Sequence, residues 1–200
     1  MKKYGFFGGC FNPVTKAHVE LALEIINKYK LDKVIFVPMG DGYNKKGLIN
    51  EKHRYNMLQI ATKQYEKLEV SNIELESSKS ISTLEAFKMI EFKYGKLDKY
   101  YIIGIDNLFK IMLSKDFEEL VQNYNYIIIQ RNGINAEELI TSNKTLQKNR
   151  NNFKIVENPS HMTTSSSIVR DSLLKSYKEI ERIMQKEVLE YIEKNGLYKL

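Results

Sequence analysis

The stretch KYGFFGGCFNPVTKAHVE, residues Lys3–Glu20, begins with an apolar run that predicts a buried strand. Gly8 and Gly9 follow this run, and apolar residues then recur at the spacing of an amphipathic helix. A strand, a glycine turn and a helix start bring main-chain N–H groups close to a bound anion. Thr15 and His18 lie at the helix start, three residues apart, where both side chains can face one ligand. Taken alone, the glycines are equally compatible with a tight turn that binds nothing.

Apolar runs typical of strands alternate with helical patterns along the rest of the chain. Strands are predicted at Val34–Pro38, Leu68–Val70, Tyr100–Ile103, Tyr126–Ile129 and Phe153–Val156, and helices at His53–Glu66 and, behind a capping box of Ser82 and Glu85, at Ser82–Tyr94. This alternation predicts an α/β fold, a Rossmann-like doubly wound parallel sheet with helices on both faces. We expect one domain over residues 1–200, with a small helical part over about residues 165–200. Ligands of such sheets bind beyond the carboxyl ends of the strands, where the strand order switches.

The composition bounds the class of protein and its ligands. The net charge of +6 and the pI of about 9.1 suit anionic ligands without choosing among nucleic acid, nucleotides and acidic surfaces. A single cysteine, Cys10, excludes an intrachain disulfide and fits a reducing compartment. The absence of C-x-x-C motifs and of His/Cys clusters argues against a structural metal site. We predict neither a signal peptide nor a membrane span, and therefore a cytoplasmic protein without a membrane partner.

The loop GDGYNKKGLINEKHRYNM, residues Gly40–Met57, follows a predicted strand and should lie on the ligand-binding rim of the sheet. Its glycines allow close approach of the backbone, and Lys45 and Lys46 supply point charges for a phosphate. The alternative is a solvated loop without a ligand.

The segment GIDN follows the strand predicted at Tyr100–Ile103. Asp106, placed after Gly104, can accept hydrogen bonds from ribose hydroxyls, as acidic residues do in nucleotide-binding folds. The alternative is that Asp106 caps a helix beginning at Asn107.

The segment HMTTSSSIVR, residues His161–Arg170, places serines before an apolar residue, which is typical of a helix cap and an anion-binding nest. Arg170 lies in the first turn, where a cation is unfavourable to the helix dipole and calls for an anionic partner. The alternative is a serine-rich loop with a surface arginine.

Four of these segments resemble motifs of one enzyme family. GGCFNPVTKAH resembles the (H/T)-x-x-H signature of the nucleotidyltransferase superfamily. DGYNKKGL with HRYNM, GIDN and TSSSIVR resemble, in order, further motifs of the nicotinamide and nicotinate mononucleotide adenylyltransferases, and the ending VLEYIEKNGLY resembles their closing helix. The resemblance implies an enzyme of NAD biosynthesis that transfers AMP from ATP to the 5′-phosphate of a pyridine mononucleotide and releases pyrophosphate.

The resemblance also implies a role for each matching residue. His18 and Arg170 would be catalytic, neutralising phosphate charge together with Mg²⁺ carried by ATP. The implied ATP site contains those two residues together with Gly8, Gly9, Phe11, Thr15, Gly104, Asp106, Ser165 and Ser166. The implied site for the mononucleotide phosphate contains Lys45, Lys46 and Cys10, the last standing where the family usually has Ser or Thr. Because the chain has no Trp, stacking on the pyridine ring would need Tyr or Phe.

Two alternatives stay open. The first is the same fold with another acceptor, such as phosphopantetheine, although Asp41–Leu48 favours a pyridine mononucleotide; the choice between acid and amide is not decided. The residues expected near that group are Ser78, Lys79, Ser80 and Thr83. The second is a non-catalytic nucleotide- or RNA-binding module, but no nucleic-acid-binding signature is present, and we expect no nucleic-acid partner. A homo-oligomer is compatible with the sequence.

Overall fold

In the part of the chain that the structure describes, six parallel strands form the sheet. The structure is a computed structural model that describes residues 1–42, 47–75, 80–131, 133–157, 166, 169–170, 180 and 182–198. The strands are β1 (Lys3–Gly9), β2 (Lys33–Pro38), β3 (Leu68–Val70), β4 (Asp98–Gly104), β5 (Asn125–Ile129) and β6 (Phe153–Val156). They lie in the order β3-β2-β1-β4-β5-β6, and every neighbouring pair is parallel. The order therefore reverses between β1 and β4, where a doubly wound sheet opens its ligand crevice.

Helices cover both faces of this sheet. They are α1 (Lys16–Tyr29), α2 (Glu51–Thr62), α3 (Thr83–Tyr94), α4 (Ile105–Met112), α5 (Phe117–Asn123), α6 (Ala136–Ser142), α7 (Lys144–Lys148) and the C-terminal helix (Lys186–Lys194), with a 3₁₀ turn at Arg150–Asn152. Adjacent strand residues point to opposite faces. Phe7 accordingly packs in a core with α1, α2 and the C-terminal helix, whereas Phe6 packs in a second core with α3 to α7. The predicted α/β fold with helices on both faces is confirmed.

Each predicted strand is present, and the predicted helices differ from the structure only at their ends. The capping box before α3 is confirmed: Ser82 Oγ accepts a hydrogen bond from the Glu85 main chain (3.2 Å), and the Glu85 carboxylate accepts one from the Ser82 main chain (2.6 Å). Much of the expected helical part after residue 165 lies outside the described residues, and the single-domain extent stays a prediction. Over the described ranges, no helix has both the length and the apolar character needed to cross a membrane.

Candidate active site

The turn between β1 and α1 lies at the switch in strand order. A Cβ atom added to Gly8 would meet nothing within 4 Å, so the backbone there is open to a ligand. The glycine at position 9 is explained by packing within the protein, because a Cβ atom there would lie 3.0 Å from the Phe11 ring. Phe11 is buried and has a positive φ of 45°, which turns the chain toward α1. The turn thus combines a partly exposed glycine backbone with the buried ring of Phe11.

His18 is oriented by the residue that caps its helix. The main-chain N–H of Thr15 donates to His18 Nδ1 over 3.0 Å, and Thr15 Oγ1 lies 2.8 Å from the same nitrogen. Because a main-chain N–H can only donate, Nδ1 is an acceptor, and the proton of the neutral imidazole is on Nε2. The edge-on ring of Phe11, with centroids 5.3 Å apart, supports the imidazole. Thr15 is fully buried and orients His18; its direct contact with ATP stays a prediction.

The surroundings of His18 keep it neutral. Burial, and next the positive charge of Arg131, lower the pKa of His18 from 6.5 to about 4. At neutral pH the imidazole therefore offers an N–H donor at Nε2 without a full positive charge.

Ser166 and Arg170 lie against the same turn. Arg170 Nη1 donates to the Asn12 carbonyl (2.7 Å) and to the Ser166 carbonyl (3.2 Å), while Ser166 Oγ donates to the Pro13 carbonyl (2.9 Å). Two residues predicted from TSSSIVR thus lie against the turn that leads to His18. Ser165 lies outside the described residues.

Arg54 anchors the loop after β2, and the sequence prediction missed it. Its side chain is fully buried. It donates from Nε to the Ile49 carbonyl (2.9 Å), from Nη1 to the Cys10 carbonyl (3.0 Å) and from Nη2 to Asp41 Oδ1 (2.9 Å). A signal was available, because Arg54 falls in helical register with the buried Met57 and with other apolar residues of α2. A charged residue on an apolar helix face needs buried polar partners.

The ends of the segment 43–46, which contains Lys45 and Lys46, are held in place. Asp41 Oδ2 accepts hydrogen bonds from Asn50 Nδ2 (2.9 Å) and the Glu51 main chain (3.0 Å), and its other oxygen binds Arg54. Gly47, at the other end, has a φ of +75° and accepts a hydrogen bond from Asn12. The two lysines themselves lie outside the described residues.

Cys10 faces another sulfur atom. Its Sγ lies 3.0 Å from Met39 Sδ, and its carbonyl is held by Arg54. The predicted contact of Cys10 with the mononucleotide phosphate stays a prediction.

Asp106 is paired with an arginine that the sequence prediction also missed. Asp106 Oδ1 accepts hydrogen bonds from Arg131 Nε (2.8 Å) and Arg131 Nη2. Helix α4 begins at Ile105 after Gly104, so the alternative that Asp106 caps this helix is wrong. A Cβ at Gly104 would lie 2.7 Å from Asp106 Oδ1, which explains the glycine. Arg131 comes just after β5, and its position after a predicted strand was the available signal.

Sequence comparisons find relatives that match over nearly the whole chain. The sequence model of the family described as cytidylyltransferase-like matches residues 6–172. A probable nicotinate-nucleotide adenylyltransferase from Carboxydothermus hydrogenoformans is 35% identical over 200 residues, covering 98% of this chain and 98% of that protein. A protein of the same name from Clostridium tetani is 28% identical over the full length of both chains.

Solved structures show the same architecture. Plasmodium falciparum nicotinic acid mononucleotide adenylyltransferase complexed with NaAD matches with a TM-score of 0.80 at 23% identity, covering 99% of this chain and 98% of that one. The same enzyme complexed with APC matches with a TM-score of 0.77 at 21% identity, again over 99% and 98% of the two chains. At these identities the superpositions show the fold.

The fold, the helix-start histidine and the family match together define a nucleotidyltransferase of the cytidylyltransferase-like class. Within that class the chain belongs to the nicotinate-nucleotide adenylyltransferase family. The resemblance found in the sequence is confirmed.

Proposed function

We propose that this chain transfers the adenylyl group of ATP to the 5′-phosphate of nicotinate mononucleotide, giving a dinucleotide and pyrophosphate. The observation that carries the proposal is the docking of Arg170 and Ser166 on the turn that presents His18. The names of the relatives support nicotinate mononucleotide, rather than nicotinamide mononucleotide, as the acceptor.

The chemistry requires no general base, because the attacking phosphate is already an anion. The protein has to place two phosphates in line and offset the charge that develops during transfer. The Nε2–H of His18 would donate to an ATP phosphate oxygen, and Arg170 would contribute a full positive charge. Lys45, with Lys46 beside it, would hold the acceptor phosphate from the loop anchored by Arg54.

The rest of the ATP site would lie between β1 and β4. Asp106 Oδ1 is bound to Arg131, which leaves Oδ2 to orient a ribose hydroxyl. Gly8, Gly9 and Gly104 would let the backbone approach the nucleotide, and the remaining ATP contacts would be Phe11, Thr15, Ser165 and Ser166. Within the described ranges, no three His, Cys, Asp or Glu side chains cluster closely enough to hold a metal ion. Mg²⁺ would enter with ATP, as part of the substrate MgATP.

Release of pyrophosphate from MgATP tests the proposal directly. The enzyme is given nicotinate mononucleotide, nicotinamide mononucleotide or phosphopantetheine in parallel, and we expect the highest kcat/KM with nicotinate mononucleotide. A higher value with the amide would overturn the proposed acid preference. Transfer only to phosphopantetheine would support the alternative of the same fold with another acceptor. No transfer at all would favour the non-catalytic alternative.

We expect Arg131→Ala to raise the KM for ATP about tenfold, the effect of losing one charge-assisted contact. The physical reason is that the Arg131 charge lies at the crevice, next to Asp106 and within electrostatic reach of His18. Steady-state kinetics with ATP as the varied substrate measures the effect.

A matched control for Arg131→Ala exists in the same chain. Arg150 pairs with Glu137 through two hydrogen bonds of 2.9 and 2.6 Å, and its Nη1 donates to the carbonyl of Phe153, the residue at the amino end of β6. The side chains of that pair are 39% and 49% exposed, against 37% and 42% for Arg131 and Asp106. Arg150→Ala should leave the KM for ATP unchanged, and equal effects of the two variants would contradict a role for Arg131 in ATP binding.

A further inference from the structure

Asn12 joins four separate segments of the chain at the candidate active site. Its side chain is only 5% exposed. Asn12 Nδ2 donates to the Gly47 carbonyl (2.7 Å), and Asn12 Oδ1 accepts from the Ile49 main chain (3.4 Å) and from the Tyr198 hydroxyl (2.8 Å). The Asn12 carbonyl accepts from Arg170 (2.7 Å).

These contacts fix the orientation of the Asn12 amide. A main-chain N–H only donates and a main-chain carbonyl only accepts, so Ile49 requires the amide oxygen and Gly47 requires the amide nitrogen. The Tyr198 hydroxyl must then donate to Oδ1. Burial raises the pKa of Tyr198, so the phenol keeps this proton at any pH used for assay.

Tyr198 is held in an unusual backbone conformation. Its φ of 60° lies in the left-handed region, which residues other than glycine rarely adopt. The side-chain contacts of Tyr198 must outweigh this strain. The hydrogen bond to Asn12 links Tyr198 to the turn between β1 and α1.

The segments that meet at Asn12 carry different parts of the proposed site. Gly47 and Ile49 follow directly on the segment with Lys45, whereas Arg170 comes from the later part of the chain. Asn12 therefore contacts the loop assigned to the acceptor phosphate through its side-chain amide, and the arginine assigned to ATP through its main-chain carbonyl.

We propose that Tyr198 is a positioning residue. Through its hydrogen bond to Asn12 it aligns the loop after β2, here called the acceptor loop because it is assigned to the acceptor phosphate, with Arg170. This role rests on the proposed function. Through Asn12, Tyr198 is part of the framework of the candidate active site.

Tyr198→Phe tests this role, because it removes the hydroxyl and keeps the ring. We expect kcat to fall about tenfold with nicotinate mononucleotide, while the KM for ATP changes less than twofold, since the phosphates are still bound but poorly aligned. Tyr29→Phe is the matched control: the Tyr29 hydroxyl is also partly buried and donates to the Ile155 carbonyl over 2.7 Å, away from the site. The control should lose similar stability in urea and keep its kcat.

A double-mutant cycle separates positioning from general loss of structure. In an Asn12→Ala background, Tyr198→Phe should have no further effect on kcat, because the bond is already lost. Equal kcat values for Tyr198→Phe and Tyr29→Phe, or additive effects in the cycle, would overturn the role of Tyr198. A wild-type chain that transfers no adenylyl group would instead overturn the proposed function.

Discussion

Replacing His18 with alanine should lower kcat about 100-fold or more and change both KM values far less. The Nε2–H is the donor that the capping interaction with Thr15 leaves free, and its partner is the charge that develops on the transferred phosphate. A donor of this kind acts more strongly on the transition state than on the bound substrate. Steady-state kinetics with each substrate varied in turn measures the effect, and an unchanged kcat would refute the assignment.

Two further variants at this position separate catalysis from helix capping. The amide oxygen of His18→Asn can replace Nδ1 as acceptor for Thr15, but no donor remains at the position of Nε2. The amide nitrogen of His18→Gln can reach the position of Nε2, but the acceptor for Thr15 is lost. We expect the glutamine variant to keep more of the kcat and the asparagine variant to keep more of the stability. A higher kcat in the asparagine variant than in the glutamine variant would show that His18 acts mainly as a cap.

The lowered pKa of His18 also predicts how stability depends on acid. In the unfolded chain the imidazole binds a proton near pH 6.5, but in the folded chain it does so only near pH 4. The unfolded state therefore binds more protons between these values, and the free energy of unfolding falls as the pH drops from 6.5 to 4. The loss is on the order of 3 kcal/mol and should be absent in His18→Asn. Urea denaturation at several pH values measures it, and parallel curves for the two proteins would contradict it.

Arg54→Met should have the largest effect on stability, about 3 kcal/mol, because a fully buried guanidinium that binds three acceptors at once is removed. Those acceptors are the carbonyls of Cys10 and Ile49 and the carboxylate of Asp41. Since Asp41 and Ile49 flank the segment 43–46, the KM for the mononucleotide should rise at least tenfold, while the KM for ATP should change less. Urea denaturation and steady-state kinetics measure the two effects.

The control for Arg54→Met is again Arg150→Ala. Its exposed pair with Glu137 should contribute less than about 1 kcal/mol. If Arg54→Met unfolded at the same urea concentration as Arg150→Ala, the buried guanidinium would not be the anchor of the acceptor loop.

Much of the fold was predictable from local pattern, because the inner strands of the sheet carry short continuous apolar runs that are buried on both faces. Residues Tyr126–Ile129 are an example: all four are buried in β5. The helices that were predicted differ from the structure at their ends, and α5, α6 and α7 have no predicted counterpart. Helix α2 begins at Glu51 rather than His53, because the Asn50 side chain accepts a hydrogen bond from the Lys52 main chain. Asn50 before Glu51 is itself a cap signal that the apolar pattern alone does not reveal.

The candidate site was predictable only where its contacts are local. Thr15 and His18 are three residues apart and follow from helix geometry. Arg131 lies 25 residues from Asp106, and Tyr198 lies 186 residues from Asn12. Contacts of this kind form because distant segments satisfy one another's buried polar groups, which no local periodicity encodes.

The outer strands of the sheet have a consequence for how copies of this chain behave at high concentration. Strand β3 has three residues and strand β6 has four, and each carries a charged residue at its centre, Glu69 and Lys154. Short, charged borders give a neighbouring molecule little unpaired backbone on which to add a strand. The described sheet is thereby protected against edge-to-edge aggregation.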